Sequence, residues 1–245
     1  MRALSSLELL EAWEQGLGLS SVDRALILLG AASSDSQHDP AQYSVGERDA
    51  HLLTLRELTF GPEVSAVTHC PKCADALELN FRVDDLRVPR AVEPTQAPLA
   101  LEDGEYLVKF RLPNSDDLRA LQGATGDAGK ANQQILQRCL LKATCKGDAV
   151  AVGQLPEPIV AAVSERMREA DPQAEVELVL QCYQCHHTWG EHFDIDLFFW
   201  TEIEAWASRV LNEIHQLASA YGWSESEILG LSSLRRNLYL NLIAE

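Results

Sequence analysis

Two short cysteine motifs constrain the fold of this chain more than any other feature of its sequence. Cys70 and Cys73 enclose two residues, and so do Cys182 and Cys185. Apolar and polar residues alternate on either side of each pair, which predicts two β-hairpins with a cysteine pair at each tip. The four thiolates together make a complete ligand set for a tetrahedral zinc ion. The sequence therefore predicts one zinc ribbon with four cysteine ligands, which joins two distant segments.

A zinc ion with four cysteine ligands has no open coordination position, so the predicted site is structural rather than catalytic. Other interpretations of the motifs remain open. A single Cys-x-x-Cys can be a redox pair, and the two motifs together can be two disulfides or two turns without metal. His69, His186 and His187 flank the pairs and are substitute ligands in a further alternative.

The overall charge argues against binding to nucleic acid. The chain has 245 residues and a formal net charge of −17, whereas phosphate binding needs clustered lysine and arginine. This matters because many zinc ribbons do bind nucleic acid. The first residues contain glutamates too early for a signal peptide, and no apolar run is long enough to span a bilayer. We therefore expect a cytoplasmic protein without membrane insertion, in a reducing compartment that favours zinc thiolates over disulfides.

The periodicity of the rest of the chain predicts an α+β fold that is mainly helical. A Ser5–Glu8 capping box opens the first of three N-terminal helices, and the third is predicted over Val45–Thr59. Asp103 and Gly104 predict a further hairpin turn. The predicted segments are an N-terminal helical region (1–62), the first ribbon half (63–87), an inserted α+β region (88–172), the second ribbon half (173–196) and a C-terminal helical region (197–245).

Within the inserted region, helices are predicted over 131–141 and from Pro158 to about Ala170. Cys139 lies on the apolar side of the first of these helices and is predicted to be a core residue, while Cys145 has no partner at ligand spacing. The glycine-rich run 123–129 is predicted to be a loop, because it lacks the order of residues of a phosphate-binding loop.

The C-terminal region has more apolar residues than one helical stripe requires. A long helix is predicted from about Leu197 to Tyr221, followed by two short helices, the last of which has leucines at 234, 238 and 242. Some apolar side chains lie off the main stripe. They are either buried within the domain or form a partner-binding surface. The candidates for that surface are Phe198, Trp200, Leu211, Tyr239 and Leu240.

No catalytic signature is present in the sequence. The nucleophile elbow, the metalloprotease helix motif, the phosphate-binding loop and the dinucleotide fingerprint are all missing. The acidic pairs Glu202/Glu204 and Asp194/Asp196 are expected by chance in so acidic a chain. The sequence therefore predicts a protein that is not an enzyme and has no small-molecule substrate.

Three stretches together resemble a known family. They are residues 47–73, residues 167–189 and the C-terminal stretch from Phe193 to Arg236, which includes Tyr221-Gly222-Trp223-Ser224-Glu225. This combination resembles the T-even-phage-type baseplate hub assembly chaperones, in the form found in gene clusters for phage-tail-like contractile injection systems. Members of that family have no known active site. The two cysteine pairs do not define its phage members, so the resemblance assigns no role to zinc.

The resemblance implies a non-enzymatic, cytoplasmic assembly chaperone for the baseplate hub of a contractile tail or injection particle, with baseplate or hub proteins as partners. The main alternative is a stoichiometric structural subunit of the same baseplate. A zinc-ribbon adaptor is a further alternative that the negative charge disfavours. A zinc-dependent hydrolase would need an open metal position, which four cysteine ligands do not leave.

Overall fold

The computed structural model describes residues 1–33, 39–89, 98–121 and 128–244. It has an α+β fold in which helices predominate over short antiparallel sheets. The helices are α1 (Ser6–Gly16), α2 (Ser21–Ala32), α3 (Val45–Phe60), α4 (Ser115–Ala120), α5 (Ala128–Cys139), α6 (Glu157–Ala170), α7 (Ile195–Tyr221), α8 (Glu225–Leu229) and α9 (Ser233–Ala244). The strands are β1 (Glu63–His69), β2 (Ala76–Arg82), β3 (Leu99–Asp103), β4 (Tyr106–Phe110), β5 (Leu140–Cys145), β6 (Asp148–Ala149), β7 (Val176–Gln181) and β8 (Thr188–Phe193).

The chain divides into two compact units. Unit 1 contains residues 1–35 and 195–245, and unit 2 contains residues 36–194. The predicted division into five segments is a finer one and stays a prediction. One difference from it is that α3 belongs to unit 2, whereas α1 and α2 belong to unit 1.

Unit 1 is made of five helices in the described residues: α1, α2, α7, α8 and α9. Ser5 and Glu8 form the predicted capping box at the start of α1, and Ser224 and Glu227 form another at the start of α8. The 27-residue helix α7 provides one side of a core in which apolar side chains of α1, α7 and α8 are buried. The core residues are Leu10, Ala207, Val210, Ile214, Leu217, Ile228 and Leu229.

Trp200 is also buried inside unit 1. Its side chain is 2% exposed, and the guanidinium of Arg24 lies 4.5 Å from the centre of its ring, within the range of a cation–π contact. Gly16, at the end of α1, lies against the same ring. A Cβ atom at position 16 would lie 2.3 Å from Cη2 of Trp200, so the last turn of α1 accommodates only glycine without displacement of the ring.

Unit 2 contains α3, two separate hairpins and the inserted α+β region. The start of α3 is fixed by Asp171, whose carboxylate accepts a hydrogen bond of 2.8 Å from the backbone N–H of Gly46. A carboxylate at a helix N-terminus satisfies one of the unpaired N–H groups there and interacts favourably with the helix dipole. This contact joins positions 125 residues apart and holds the segment before β7 against α3.

The inserted region forms an antiparallel four-stranded sheet in the order β3-β4-β5-β6. The predicted hairpin at Asp103 and Gly104 is confirmed, with Asp103 paired to Tyr106. Strands β5 and β6 are not predicted by the sequence, and the helix predicted over 131–141 ends at Cys139 where β5 begins. The sheet packs on α5 and α6 around a core of Val108, Phe110, Leu136, Cys139, Ala143, Leu155, Ile159, Val163 and Met167. Most of the predicted glycine-rich loop lies outside the described residues.

A buried carboxylate anchors α4 to this sheet. The side chain of Asp117 is fully buried and accepts hydrogen bonds from Arg111 Nη2 at 2.9 Å and Arg138 Nε at 2.8 Å. The backbone N–H of Asn114 donates a third, at 3.1 Å. Burial by itself would raise the pKa of Asp117, but these hydrogen bonds outweigh it and lower the pKa to about 2.

Candidate metal centre

The two cysteine motifs form two turns with the same backbone geometry. In the first turn, the N–H of Ala74 donates to the carbonyl of Cys70 at 2.8 Å, and the N–H of Cys70 donates to the carbonyl of Asp75 at 2.9 Å. The second turn repeats both bonds at the equivalent positions, from His186 to Cys182 at 3.0 Å and from Cys182 to the carbonyl of His187 at 2.9 Å. Each turn therefore holds its cysteine pair rigidly at the tip of a hairpin, β1–β2 or β7–β8.

Both turns contain a residue in the left-handed region immediately after the second cysteine. Ala74 has a φ of 60° and His186 a φ of 56°. This region is unfavourable for residues with a Cβ atom, at a cost of about 1–2 kcal/mol. Neither hairpin uses glycine here, so the interactions that form at the tips must hold the backbone in this conformation.

The tips of the two hairpins bring all four cysteines together. The Sγ atoms of Cys70 and Cys185 lie 3.6 Å apart, and those of Cys73 and Cys182 also lie 3.6 Å apart. All four Sγ atoms lie within 4.8 Å of one another. Tetrahedral zinc with Zn–S bonds of about 2.3 Å requires S–S separations of about 3.8 Å. The donor set therefore fits a tetrahedral metal ion, and the arrangement is compatible with a metal site.

A small apolar core supports the cluster. Cys70 and Cys182 are 2% and 0% exposed and pack with Leu77, while Trp189 and Leu79 cover the group from its edge. At the other end of the hairpins, the rings of Phe81 (β2) and Phe193 (β8) meet edge to face with centroids 6.0 Å apart. These contacts bury little apolar surface for two hairpins, so the packing alone contributes modestly to holding them together.

The thiols influence one another electrostatically. Burial of Cys70 disfavours its thiolate, but hydrogen bonds from the backbone of Cys73 and Lys72 lower the pKa of Cys70 to about 7. A hydrogen bond from the backbone of Asp75 favours the thiolate of Cys73, yet burial and the neighbouring thiols of Cys185 and Cys182 raise its pKa to about 12. The hydrogen bonds among the thiols thus favour the thiolate of Cys70 and disfavour that of Cys73, and a bound cation would favour the thiolate form of every ligand.

The histidines that flank the motifs are outside the cluster. The cluster of candidate ligands in the described residues contains cysteine sulfur atoms only. His187 instead stacks on Trp189, with ring centroids 6.0 Å apart. Among the other cysteines, Cys139 is fully buried, as predicted, and burial is the largest cause of the rise in its pKa to about 12. Such a thiol is chemically inert at neutral pH.

The residues predicted for a partner surface lie in different environments. Trp200 is buried in unit 1, and Phe198 is half-buried. Tyr239 and Leu240 are half-buried and pack against the core of unit 1, whereas Leu211 is 39% exposed. Three leucines of α9 that were not predicted as surface residues are exposed: Leu234, Leu238 and Leu242. Their four-residue spacing was visible, but spacing alone does not tell a buried stripe from an exposed one.

Comparison with known families supports a baseplate protein, which is a broader assignment than the hub assembly chaperones that the sequence resembles. The sequence model of the family described as T4 bacteriophage base plate protein matches residues 27–200. The chain belongs to this baseplate protein family. The matched range includes both cysteine motifs, so the cluster of four cysteines lies within the family-matched part of this baseplate protein. Neither the curated proteins nor the solved structures include a match to this chain.

A helix must be both long and apolar to cross a membrane, and the described helices of this chain do not combine the two properties. The longest, α7, has 27 residues and carries charged residues along its length. No helix in the described ranges is both long enough and apolar enough to cross a bilayer.

Proposed function

We propose that this baseplate-family protein is a non-enzymatic assembly factor, a chaperone for the baseplate hub of a contractile phage tail or phage-tail-like injection system. The observation that carries the proposal is the family match over residues 27–200. The chaperone role is supported by the resemblance of the stretch from Phe193 to Arg236, most of which lies beyond the matched range. Its partners are then baseplate or hub proteins, and it acts in the cytoplasm where the particle is assembled.

A structural zinc ion at Cys70, Cys73, Cys182 and Cys185 is the second part of the proposal. The sulfur separations of 3.6 Å and the all-cysteine donor set support zinc over harder cations, which prefer oxygen ligands. When bound, the metal links the two hairpins, and its binding free energy adds to the stability of the fold. The four cysteines leave no coordination position for a substrate.

The absence of enzymatic activity rests on the same geometry and on the missing sequence motifs. In the described residues the candidate ligands are already four in number and close around a single centre. A substrate could reach a metal there only by displacing a thiolate. We therefore propose that the centre supports the fold, and that the function lies in binding other proteins.

The experiment that tests the assembly role compares assembling and finished particles. The chain is tagged in cells that produce the particle, and assembly intermediates and purified particles are examined by mass spectrometry. An assembly factor is present in complexes with hub proteins and absent from finished particles. Deletion of its gene should stop the incorporation of the hub, and expression of the intact chain should restore it.

The alternative with the same family support is a structural subunit that remains in the baseplate. This alternative predicts a fixed number of copies in every finished particle. Detection of the chain in purified particles at a constant ratio to other baseplate proteins would replace the chaperone proposal with the subunit proposal. A zinc-ribbon adaptor, the remaining alternative, predicts binding to proteins outside the particle.

A further inference from the structure

The last helix of unit 1, α9, has two faces of different character. One face packs within unit 1 through Tyr239 and Leu240, which lie against the core. Arg236 is on the same face, 3% exposed, and donates to the carboxylate of Glu213 on α7 at 2.9 Å. It also donates to the carbonyl of Leu231 at 2.8 Å. These contacts fix which side of α9 points outwards.

The outward face of α9 is a row of leucines. Leu234, Leu238 and Leu242 are 68%, 56% and 61% exposed. Their spacing of four residues puts them one above another on the same side of the helix, opposite the buried Arg236. A helix that is apolar on both sides is normally covered on both sides. Three leucines in a row are therefore a candidate docking face.

Arg235 borders the row of leucines on the outward face of α9. Its guanidinium has no ion-pair, hydrogen-bond or aromatic partner in the described chain, whereas the other described arginines each have at least one such partner. Residues 233–244 contain no aspartate or glutamate, although the whole chain has a net charge of −17. The outward face of α9 is therefore a non-acidic strip on an acidic protein.

We propose that the α9 face, formed by Leu234, Leu238, Leu242 and Arg235, is the docking site for an amphipathic helix of another baseplate protein. The proposed partner helix has an apolar stripe bordered by a carboxylate. Leucines four residues apart form a ridge that fits the groove between the equivalent ridges of a second helix. The partner's carboxylate would pair with Arg235 and fix the orientation of the two helices. This inference rests on the proposed function, since it names the surface through which the assembly factor binds.

A second copy of this chain is a poor occupant of the α9 face. In a symmetric dimer the α9 face meets itself, so each Arg235 would have to find its partner on the other copy's α9. The described part of α9 provides no carboxylate to pair with either arginine. Two chains of charge −17 also repel each other at long range. The missing carboxylate therefore favours a different partner helix, one that has a carboxylate beside its apolar stripe.

The test measures binding of the full-length, zinc-containing chain to each purified baseplate protein of the same particle. Leu238→Asn removes apolar area from the centre of the face, and Leu141→Asn is the matched control, because Leu141 is a 54% exposed leucine of β5 in unit 2. Arg235→Glu reverses the charge, and Arg235→Lys keeps it. Circular dichroism and zinc content establish that each variant is folded. A photo-crosslinking residue at position 238 identifies the contacted segment.

We expect Leu238→Asn to weaken binding of one baseplate protein about tenfold or more, as at the centre of other interfaces, while Leu141→Asn leaves it unchanged. Arg235→Glu should weaken binding more than Arg235→Lys, and a carboxylate-to-lysine change in the cross-linked segment should restore binding to Arg235→Glu. The inference is overturned, with the assembly role intact, if the wild-type chain binds a baseplate protein and both α9 variants bind equally well. Cross-linking to a second copy, or binding of α9 to anionic phosphatidylglycerol vesicles instead, also overturns it. If the wild-type chain binds no baseplate protein, the proposed function fails with it.

Discussion

The Sγ atoms of Cys73 and Cys182 lie 3.6 Å apart although the two residues are 109 positions apart in the sequence. No regular secondary structure in the described ranges connects them directly, because each cysteine is at the tip of a different two-stranded sheet. An isolated two-stranded hairpin is marginally stable in water. The two tips pack through the small apolar core around Leu77. A metal ion bound between the cysteines would add to the stability of this contact, and this leads to the first prediction.

Cys182→Ser should release the metal and destabilise unit 2. The wild-type chain should contain about one zinc ion per chain, the content of a single site with four cysteine ligands. Loss of one thiolate removes metal-binding free energy that contributes to folding, so the melting temperature should fall. Elemental analysis and thermal unfolding measure both effects. Cys145→Ser is the control, since Cys145 is outside the cluster. A metal-free wild-type protein, as stable as one prepared with zinc, would contradict the metal centre.

Ala74→Gly should stabilise the protein by about 0.5–1 kcal/mol, because glycine adopts a positive φ without the steric cost of a Cβ atom. The φ of Ala74 is 60°. Ala66→Gly in β1 is the matched control. It deletes the same methyl group from a strand and should destabilise the protein by a similar amount. Chemical denaturation of both variants, with zinc bound, gives the two free-energy changes. Equal destabilisation by both variants would show that the turn is not strained.

Asp117→Asn should destabilise unit 2 by about 1.5–3 kcal/mol at neutral pH, because it removes the charged acceptor of the hydrogen bonds from Arg111 and Arg138. Asp116→Asn is the control, since Asp116 is 46% exposed and its ion pair with Arg119 is at the surface. Urea unfolding at pH 7 measures both changes.

The effect of Asp117→Asn on the free energy of unfolding should depend on pH. The pKa of Asp117 is lowered in the folded protein from 3.8 to about 2. A lowered folded-state pKa gives stability that is present above pH 3.8 and is lost as the pH falls towards 2. The difference in unfolding free energy between wild type and Asp117→Asn should therefore shrink over this interval. A difference that is constant with pH would show that the pKa of Asp117 is the same in the folded and unfolded states.

Gly16→Ala should destabilise unit 1 by about 1–3 kcal/mol, the usual cost of overpacking. The added Cβ would lie 2.3 Å from the ring of Trp200, and the guanidinium of Arg24 also packs on that ring. Gly30→Ala in α2 is the control, because a Cβ there meets no atom within 4 Å. That variant should stabilise the protein by up to about 1 kcal/mol through helix propensity. In thermal unfolding, Gly16→Ala should lower the melting temperature and Gly30→Ala should raise it.

The parts of the fold that the sequence predicted correctly have strong local signals. The capping box of Ser5 with Glu8 marked a helix start, and strict alternation marked the strands of the two hairpins. The four cysteines were predicted together because zinc ligation imposes a recognisable spacing. The helix caps and the hairpin strands are specified by residues a few positions apart in the sequence. The two distant cysteine pairs were matched because a tetrahedral zinc ion needs four ligands.

The features that the sequence did not reveal depend on tertiary packing. Strand β5 follows α5 without a turn signal, and its pairing with β4 is specified by the sheet rather than by its own residues. Trp200 was predicted to lie off the main apolar stripe of its helix, and Leu238 belonged to the regular row of leucines in the last helix. Only the packing around Gly16 shows that the first is core, and only the contacts of Arg236 show that the second faces outwards.

The separation of the two cysteine pairs also has a consequence during protein synthesis. The first pair leaves the ribosome well before the second, since Cys73 and Cys182 are 109 positions apart. At translation rates of about 5–20 residues per second, this interval lasts roughly 5–20 s. Throughout it, the nascent chain carries a half-site whose two thiols can be oxidised or can capture a metal ion with ligands from another chain. The yield of correctly folded protein should therefore depend on the reducing power and zinc supply of the cell while the chain is still being made.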